Sequence, residues 1–280
     1  MNSARLARPA STARLIGLFL VPLFVCGCMF QQARYTQTTN STAPHTTGSG
    51  VKVSTRNGSI SIRKASDTTE VAIQATLRMV TSERLGEASI IANRNSAGVL
   101  EISAQPPSDG WRGGEGCSFD ITVPDAGGVE LRSTNGAIKL AGLSGPAKLD
   151  TSNGSITIAG HSGDVEADTS NGAVDATGIS GNAHIKTSNG GVKVSLADTS
   201  SAVQIKTSNG AVTLELSRAF RGELSVDTSN GSIRLPQSGP SNVNTQMRQS
   251  KNRATMIVGD ATSKSSIDTS NGSVTVRYAD

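Results

Sequence analysis

The sequence predicts an all-β protein built from one short repeated unit, and two observations support this prediction. Eight Asn-Gly pairs recur along the chain, and six of them lie inside an identical Thr-Ser-Asn-Gly word. On each side of these pairs, apolar and polar residues alternate with a period of two, as in strands that are buried on one face. The pairs are Asn57-Gly58, Asn135-Gly136, Asn153-Gly154, Asn171-Gly172, Asn189-Gly190, Asn209-Gly210, Asn230-Gly231 and Asn271-Gly272.

The spacing of the pairs predicts the length of the unit. Successive asparagines from Asn135 to Asn189 are 18 residues apart, and the next two gaps are 20 and 21 residues. The last gap is 41 residues, so a degenerate copy is expected near Asn252. A period of this size is typical of a solenoid or array. We therefore expect about 18 to 21 residues per repeat.

Each unit reads as two strands with a turn between them. Ala147, Leu149 and Thr151 alternate with polar residues before Asn153-Gly154, and Ile156 and Ile158 do so after it. One side of every copy is apolar, and the other carries Asp, Lys, Ser and Thr. The β-forming residues and turn glycines leave little room for helix here.

Two architectures fit this pattern. Asn-Gly is the preferred type I′ hairpin loop, which would place Leu149 opposite Ile158 in a meander folded into a sandwich. In a β-solenoid the strands would instead stack in parallel on their copies, and Asn-Gly would form a corner with glycine at a positive φ. The solenoid is favoured because it encloses its own apolar face. Counting alternate positions also places Asn153 inward, in an internal ladder of stacked amides.

Residues 51–130 differ from the regular repeats, which occupy 131–280. A strand is predicted at 71–77, and a short capping helix is predicted at 83–92, with Ser82 as its N-cap. The last repeat runs to Tyr278, so no C-terminal cap is expected. Its open strand edge could support edge-to-edge self-association.

The first 27 residues read as a lipoprotein signal peptide. Three arginines precede an apolar run at 15–25 that ends in Cys26-Gly27-Cys28. The ending resembles the lipobox of bacterial lipoproteins, which makes Cys28 the lipid attachment site and the membrane a partner. Residues 28–50 are rich in Thr and Ser and read as a flexible tether. The predicted location is the bacterial cell envelope, at the outer membrane or facing the periplasm; an ordinary cleaved signal would leave a soluble protein.

Charge and composition limit the partners and chemistry. Removing residues 1–27 lowers the formal charge from +4 to +1, because it removes three arginines and no acids. With one Trp, two Tyr and five Phe, the chain lacks the charge and stacking groups that nucleic-acid binding requires. Once Cys28 is acylated, Cys117 has no disulfide partner and reads as a buried small hydrophobe. No cofactor and no metal site are expected.

The stretch ITVPDAGGVELRSTNGAIKLAGLSGPAKLDTSNGSITIAG, with its later copies, resembles the bacterial putative-adhesin domain family of unknown function. The resemblance covers residues 51–280. It implies a β-solenoid made of strand units that end in Asn-Gly and Ser-Gly, and an envelope location. It implies no catalytic residues.

The predicted function is that of a non-catalytic, lipid-anchored adhesin that presents a polar surface to a glycan or protein partner. The first alternative is a polysaccharide-active β-helix enzyme or a calcium site, in which Asp150 and Asp168 would form a carboxylate pair on neighbouring repeats. Their column is expected to continue through Lys186, Lys206 and Asp227. The second alternative is a self-associating envelope scaffold.

Four further residues were candidates for binding or catalysis. His45 lies in the tether, and His161 and His184 occupy non-equivalent repeat positions, so no metal or triad spacing arises. All three are expected at the surface. Trp111, in a Gly-rich loop, could stack on a sugar, although packing against the domain is favoured.

Overall fold

Each regular Asn-Gly repeat supplies one strand to each of two sheets. The computed structural model describes residues 35–197, 201–241, 243–260 and 263–279. Within these residues the chain forms 23 strands and one helix. Eleven strands form sheet A and twelve form sheet B, and both sheets contain parallel and antiparallel pairs. The all-β prediction is confirmed, in the form of two large mixed sheets.

The elements follow one another along the chain in three groups. The first group is β1 (Tyr35–Pro44), β2 (Val51–Thr55), β3 (Ile60–Lys64), β4 (Glu70–Met79), α1 (Ser82–Glu87), β5 (Ser89–Arg94), β6 (Leu100–Gln105) and β7 (Gly116–Val123). The regular repeats form β8 (Val129–Ser133), β9 (Ile138–Ala141), β10 (Ala147–Thr151), β11 (Ile156–Ser162), β12 (Val165–Thr169), β13 (Val174–Ser180), β14 (Ala183–Thr187), β15 (Val192–Leu196), β16 (Val203–Thr207) and β17 (Val212–Leu216). The last group is β18 (Gly222–Thr228), β19 (Ile233–Arg234), β20 (Thr245–Gln249), β21 (Arg253–Val258), β22 (Lys264–Thr269) and β23 (Val274–Tyr278).

The strands on the two sides of an Asn-Gly pair do not pair with each other. β10 lies in sheet B and β11 in sheet A. Leu149 of β10 is opposite Leu131 and Ala167, in parallel strands one repeat before and one repeat after. Ile156 of β11 has the same relation to its own copies. The Asn-Gly pairs are therefore corners between sheets, and the hairpin interpretation is wrong.

The core lies between the two sheets and follows the period-two alternation. Inward residues such as Leu149, Ile156 and Val194 are almost fully buried, in one cluster that runs from Ala43 to Val276. Burying an aliphatic side chain of this size contributes about 1.5–3 kcal/mol. Because each repeat adds the same small set of buried side chains, the core grows by stacking.

The order of the last repeats in space differs from their order in the sequence. Sheet A ends in the order β17-β23-β19, and sheet B contains β16-β22-β18-β21-β20. The repeat that ends the sequence therefore lies between its two predecessors, and its strands are not sheet edges. The degenerate copy expected near Asn252 is instead the turn of the antiparallel β20–β21 hairpin, which extends sheet B beyond β18.

The predicted tether is wrong for residues 35–44. This segment is β1, which pairs antiparallel with β4 over ten residues and forms one edge of sheet A. Threonine is as common in strands as in polar linkers, so the composition of this segment does not distinguish the two. The segment is a strand because a neighbouring strand pairs with it. Residues 1–34, including the predicted signal peptide and Cys28, lie outside the described residues.

The predicted helix at 83–92 is shorter than expected. Helix α1 ends at Glu87, its N-cap is Thr81 rather than Ser82, and residues 89–94 form β5. Gly86 weakens the helix, while Ile90 and Ile91 favour a strand that pairs with β6. The helix contacts β4 and β1. None of the described helical residues forms a segment long and apolar enough to cross a membrane.

Candidate functional site

In five of the six Thr-Ser-Asn-Gly words, the buried threonine donates a hydrogen bond to a backbone carbonyl of the neighbouring repeat. Thr151 is 1% exposed; its Oγ1 donates to the carbonyl of Gly136 at 3.0 Å and accepts from the amide of Gly154 at 3.3 Å. Thr169 makes the same pair of bonds one repeat later. The internal polar ladder is thus formed by hydroxyl groups, which satisfy backbone groups that the corner would otherwise leave unpaired.

The corner glycines are required by close approach rather than by a left-handed backbone. A Cβ added to Gly172 would lie 1.8 Å from the carbonyl oxygen of Gly154. At all eight Asn-Gly glycines the corresponding distance to a backbone carbonyl oxygen is 1.8 or 1.9 Å. None of these eight described glycines has a positive φ, so the predicted left-handed conformation is wrong.

The asparagine side chains hydrogen-bond from one repeat to the next on the outside of the molecule. From the second asparagine onward, each Nδ2 donates to the Oδ1 of the preceding asparagine at 2.5–2.9 Å, in the spatial order Asn57, Asn135, Asn153, Asn171, Asn189, Asn209, Asn271, Asn230. Asn57 is half-buried and the others are exposed, so their predicted inward position is wrong. The strand ends at the threonine, and alternation cannot be counted through the bend that follows.

A groove crosses the outer face of sheet B and is the strongest candidate for a binding site. It has a volume of about 900 Å³ and runs across the beginnings of β2, β8, β10, β12, β14 and β16. Its lining includes the first residues of five strands, Val51, Val129, Ala147, Val165 and Ala183. The next outward position supplies Lys52, Glu130, Lys148, Glu166, His184 and Gln204. The repeat therefore produces a row of equivalent positions across six strands.

Charge alternates along this row. Lys148 Nζ lies 2.8 Å from Glu166 Oε1, and Lys52 Nζ lies 3.8 Å from Glu130 Oε2. The hydrogen bond from Lys148 lowers the pKa of Glu166, and the same bond raises the pKa of Lys148. Both side chains are 46% exposed, so the pair contributes little to folding stability. These charged groups are consequently available to a ligand at small cost.

The two candidate carboxylates lie outside the groove. Asp150 and Asp168 are direct partners on β10 and β12, facing outward, and Lys186 is opposite Asp168 on β14. Beyond Lys206 the predicted column is wrong, because Asp268 follows there and Asp227 comes after Asp268. Inserting the last repeat between its predecessors causes this change.

The three histidines lie in different environments. His45 Nε2 is 3.2 Å from Asp125 Oδ1, and His184 is exposed, with Nδ1 3.2 Å from Gln204 Oε1. His161 is only 1% exposed, with Nε2 2.8 Å from the carbonyl oxygen of Gly145, so its predicted surface position is wrong. Burial lowers the pKa of His161, which favours the neutral ring.

A buried ion pair at the N-terminal end was missed by the sequence reasoning. Arg84 of α1 donates from Nε and Nη2 to the two carboxylate oxygens of Glu115, each at 2.7 Å. Glu115 is fully buried and also accepts from the amides of Val80 and Arg112. The bond from Arg84 is the main cause that lowers the pKa of Glu115 to about 2. Every carboxylate oxygen is engaged, so the pair is structural.

Two other candidates are also engaged in packing. Trp111 is half-buried against the core. Cys117 is fully buried, which raises its pKa to about 12 and keeps the thiol protonated. In the part of the chain that the structure describes, no three His, Cys, Asp or Glu side chains are placed to hold a metal ion.

Residues 129–280, more than half of the chain, match DUF7330, a domain of unknown function. The chain therefore belongs to the DUF7330 family. Among curated proteins, none matches its sequence. The DUF7330 match includes β8–β23, with most of the corners and five of the six strands that the groove crosses.

Three solved structures are similar to this DUF7330 chain. They are a putative cell adhesion protein from Clostridium sporogenes ATCC 15579 and putative adhesins from Bacteroides fragilis NCTC 9343 and Parabacteroides distasonis ATCC 8503. Their identities are 11%, 12% and 11%, and their TM-scores are 0.35, 0.37 and 0.37. The matches cover 88%, 88% and 87% of this chain and 100%, 98% and 97% of theirs. The predicted membership of a domain family of unknown function is confirmed by the DUF7330 match, whereas TM-scores this low carry no argument about function.

Proposed function

We propose that this chain is a non-catalytic binding protein that holds an extended polypeptide in the groove of sheet B. The observation that supports the proposal is the groove itself, a continuous channel across six strands at equivalent repeat positions. Strands in a sheet lie about 4.8 Å apart, so six strands span about 24 Å. An extended chain rises about 3.4 Å per residue, and roughly seven residues would fill that length.

The chemistry of the lining favours a polypeptide over a glycan. Val99, Pro146 and Ala202 are exposed or half-buried and offer apolar contact area, while Lys148 and Glu166 offer charge of both signs. Apolar pockets with a few placed polar groups suit alternating side chains of a peptide. Among the described lining residues there is no Phe, Tyr or Trp on which a sugar ring could stack.

The test compares two Lys→Glu variants of the full-length protein on peptide and glycan arrays. Lys148→Glu places a third consecutive carboxylate between Glu130 and Glu166 in the groove. Lys186→Glu makes the same change on the same face of sheet B but outside the groove. We expect a selected peptide to lose at least tenfold in affinity for the first variant and less than twofold for the second.

Three results would contradict the proposal. Equal losses of affinity in both variants would show that the groove does not bind the peptide. Selective capture of glycans would show that the ligand is a carbohydrate rather than a polypeptide. Depolymerisation of a polysaccharide, abolished by Asp150→Asn or Asp168→Asn, would replace binding with catalysis.

We further propose that the two sheets form a β-solenoid with one Asn-Gly repeat of 18 to 21 residues per coil. Support comes from the parallel pairing of β8 through β16 and of β9 through β17, and from the side-chain bonds between like asparagines. In this architecture the groove follows the long axis, so its length scales with the number of coils.

The proposed location is the bacterial cell envelope, with the chain anchored by a lipid on Cys28. The lipobox-like ending of the apolar run supports this assignment. Fractionation with lipid labelling of wild type and Cys28→Ala tests it. We expect label and membrane association to disappear together in the variant, and membrane association without label would contradict the anchor.

A further inference from the structure

Among the described residues the two sheets have four edge strands, and β1 differs from the other three. Edge strands of natural proteins are commonly kept short or are marked by charge or proline, which discourages pairing with other chains. β19 has two residues and precedes Pro236, β20 has five and contains Arg248, and β5 has six and ends with Arg94. β1 has ten residues, contains no charged side chain, and reaches a proline only at its last position, Pro44.

β1 is paired along one side only. Its ten residues are in register with β4, from Tyr35 opposite Met79 to Pro44 opposite Glu70. No strand among the described residues lies along its other side, because β1 ends sheet A. All of its side chains except Ala43 are exposed. The strand thus offers a long row of backbone donors and acceptors that a further strand could complete.

We propose that two copies of this chain associate by pairing β1 with β1 in antiparallel orientation, which joins the two A sheets. Antiparallel pairing of identical strands is the two-fold arrangement in which the same surface contacts itself. It places no like charges opposite each other, since the strand YTQTTNSTAP has none. Threonine pairs across strands are favourable, and four of the ten residues are threonine.

The composition of β1 favours a second copy over a foreign strand. Added strands are commonly selected by pockets for alternate side chains or by complementary charge. β1 offers no charge for selection, and Tyr35 is its one large apolar side chain. A self-complementary polar strand needs no such selection, because its partner has the same sequence.

The pairing would leave the groove open. No residue of β1 lines the groove, which belongs to sheet B. Each dimer would then carry two grooves, and a partner with two binding segments would be held more tightly than by one copy. The dimer proposal does not depend on what the groove binds.

Sedimentation equilibrium of the full-length chain in mild detergent tests the association. We expect a concentration-dependent shift from the mass of one chain to twice that mass. The variant Gln37→Lys with Thr39→Lys puts two cations on the exposed face of β1 and should raise the dimer dissociation constant at least tenfold. Asn244→Lys with Gln246→Lys makes the matched change at β20 and should leave it within twofold.

Hydrogen exchange gives a second measurement that needs no substitution. Amides of residues 35–43 should become more protected as protein concentration rises, while those of β20 should not change. Circular dichroism spectra and melting curves of the variants should match wild type, because the substituted positions are exposed. A monomer at all concentrations overturns the proposal, as does a dimer that the β1 lysines leave intact.

Discussion

The regular repeats and the N-terminal end satisfy their buried polar groups in different ways. In the repeats, a threonine or serine hydroxyl at most corners bonds to the backbone of the neighbouring repeat, so the task is spread over many equivalent positions. At the N-terminal end, a single buried arginine, Arg84, holds helix α1 to a loop by pairing with Glu115 and Asp109. We therefore expect a single substitution at the N-terminal end to cause a large loss of folding stability. Along the repeats, the loss of stability should vary with the residue that is replaced.

The largest loss of folding stability is expected from Glu115→Ala. The change leaves the 5%-exposed guanidinium of Arg84 without its main partner, and breaking a buried pair in this way costs about 3–5 kcal/mol. Chemical denaturation at pH 7 measures the free energy of unfolding. Glu87→Ala, which removes an exposed carboxylate from the same helix, should change it by less than about 0.5 kcal/mol.

Acid titration of the same pair gives an independent check. Because the pKa of Glu115 is held at about 2, below the ordinary value of 4.5, its stabilising effect is complete above pH 4.5. It should be lost as the pH falls from 4.5 towards 2, because over this range the carboxyl binds a proton in the unfolded state but not in the folded state. Glu115→Ala should therefore show a shallower fall in stability over this range, and identical slopes would mean that the pair does not control acid stability.

The next largest effect is expected from Gly172→Ala within the repeats. A Cβ 1.8 Å from the carbonyl oxygen of Gly154 forces the backbones of two repeats apart, and overpacking of this kind costs about 3 kcal/mol. Gly113→Ala is the control, because a Cβ there meets nothing within 4 Å. Equal melting temperatures for the two variants would show that the corner is not tightly packed.

A smaller loss of folding stability is expected from Thr169→Val, which keeps the side-chain shape and removes the hydroxyl. The carbonyl of Gly154 and the amide of Gly172 lose a hydrogen-bond partner, and buried unsatisfied groups cost about 1–3 kcal/mol. Thr169→Ser retains the hydroxyl and should recover most of this loss. If the serine variant is as unstable as the valine variant, the methyl group rather than the hydroxyl is responsible.

How much the sequence predicts depends on whether the cause is local. Alternation in residues such as Leu149 and Ile156 is local, and it correctly predicted strands and the buried face. The role of Gly172 depends on a carbonyl of the preceding repeat, and sequence spacing alone does not show how closely two backbones approach. The order of the last repeats was also out of reach, because interchangeable Thr-Ser-Asn-Gly words do not specify which copy lies beside which.

The residues of the groove recur at a fixed spacing in the sequence. Glu130, Lys148, Glu166 and His184 are each 18 residues apart, so a comparison of equivalent positions would have revealed the alternating row. The pair Arg84 and Glu115 shows no such spacing, because the two residues are 31 apart in an irregular segment. The groove is therefore predictable in principle, because its residues recur at equivalent positions. The ion pair is not predictable in this way, because its residues do not recur.

The smallest loss of folding stability is expected from Asn171→Ala. This variant tests whether the row of hydrogen-bonded asparagines on the outside of the molecule behaves like the rest of the repeats. Asn171 donates to Asn153 and accepts from Asn189, but it is exposed, so water replaces the lost bonds and the cost should be about 1 kcal/mol. Peptide binding in the groove should be unchanged.

Asn57, the first asparagine of this row, is half-buried and donates to the carbonyl of Glu115 at 2.7 Å, which links the row to the N-terminal end. Asn57→Ala should consequently cost clearly more than Asn171→Ala in the same denaturation experiment. Equal costs would mean that the ladder is uniform and that the end of the molecule is held by Arg84 and Glu115 alone.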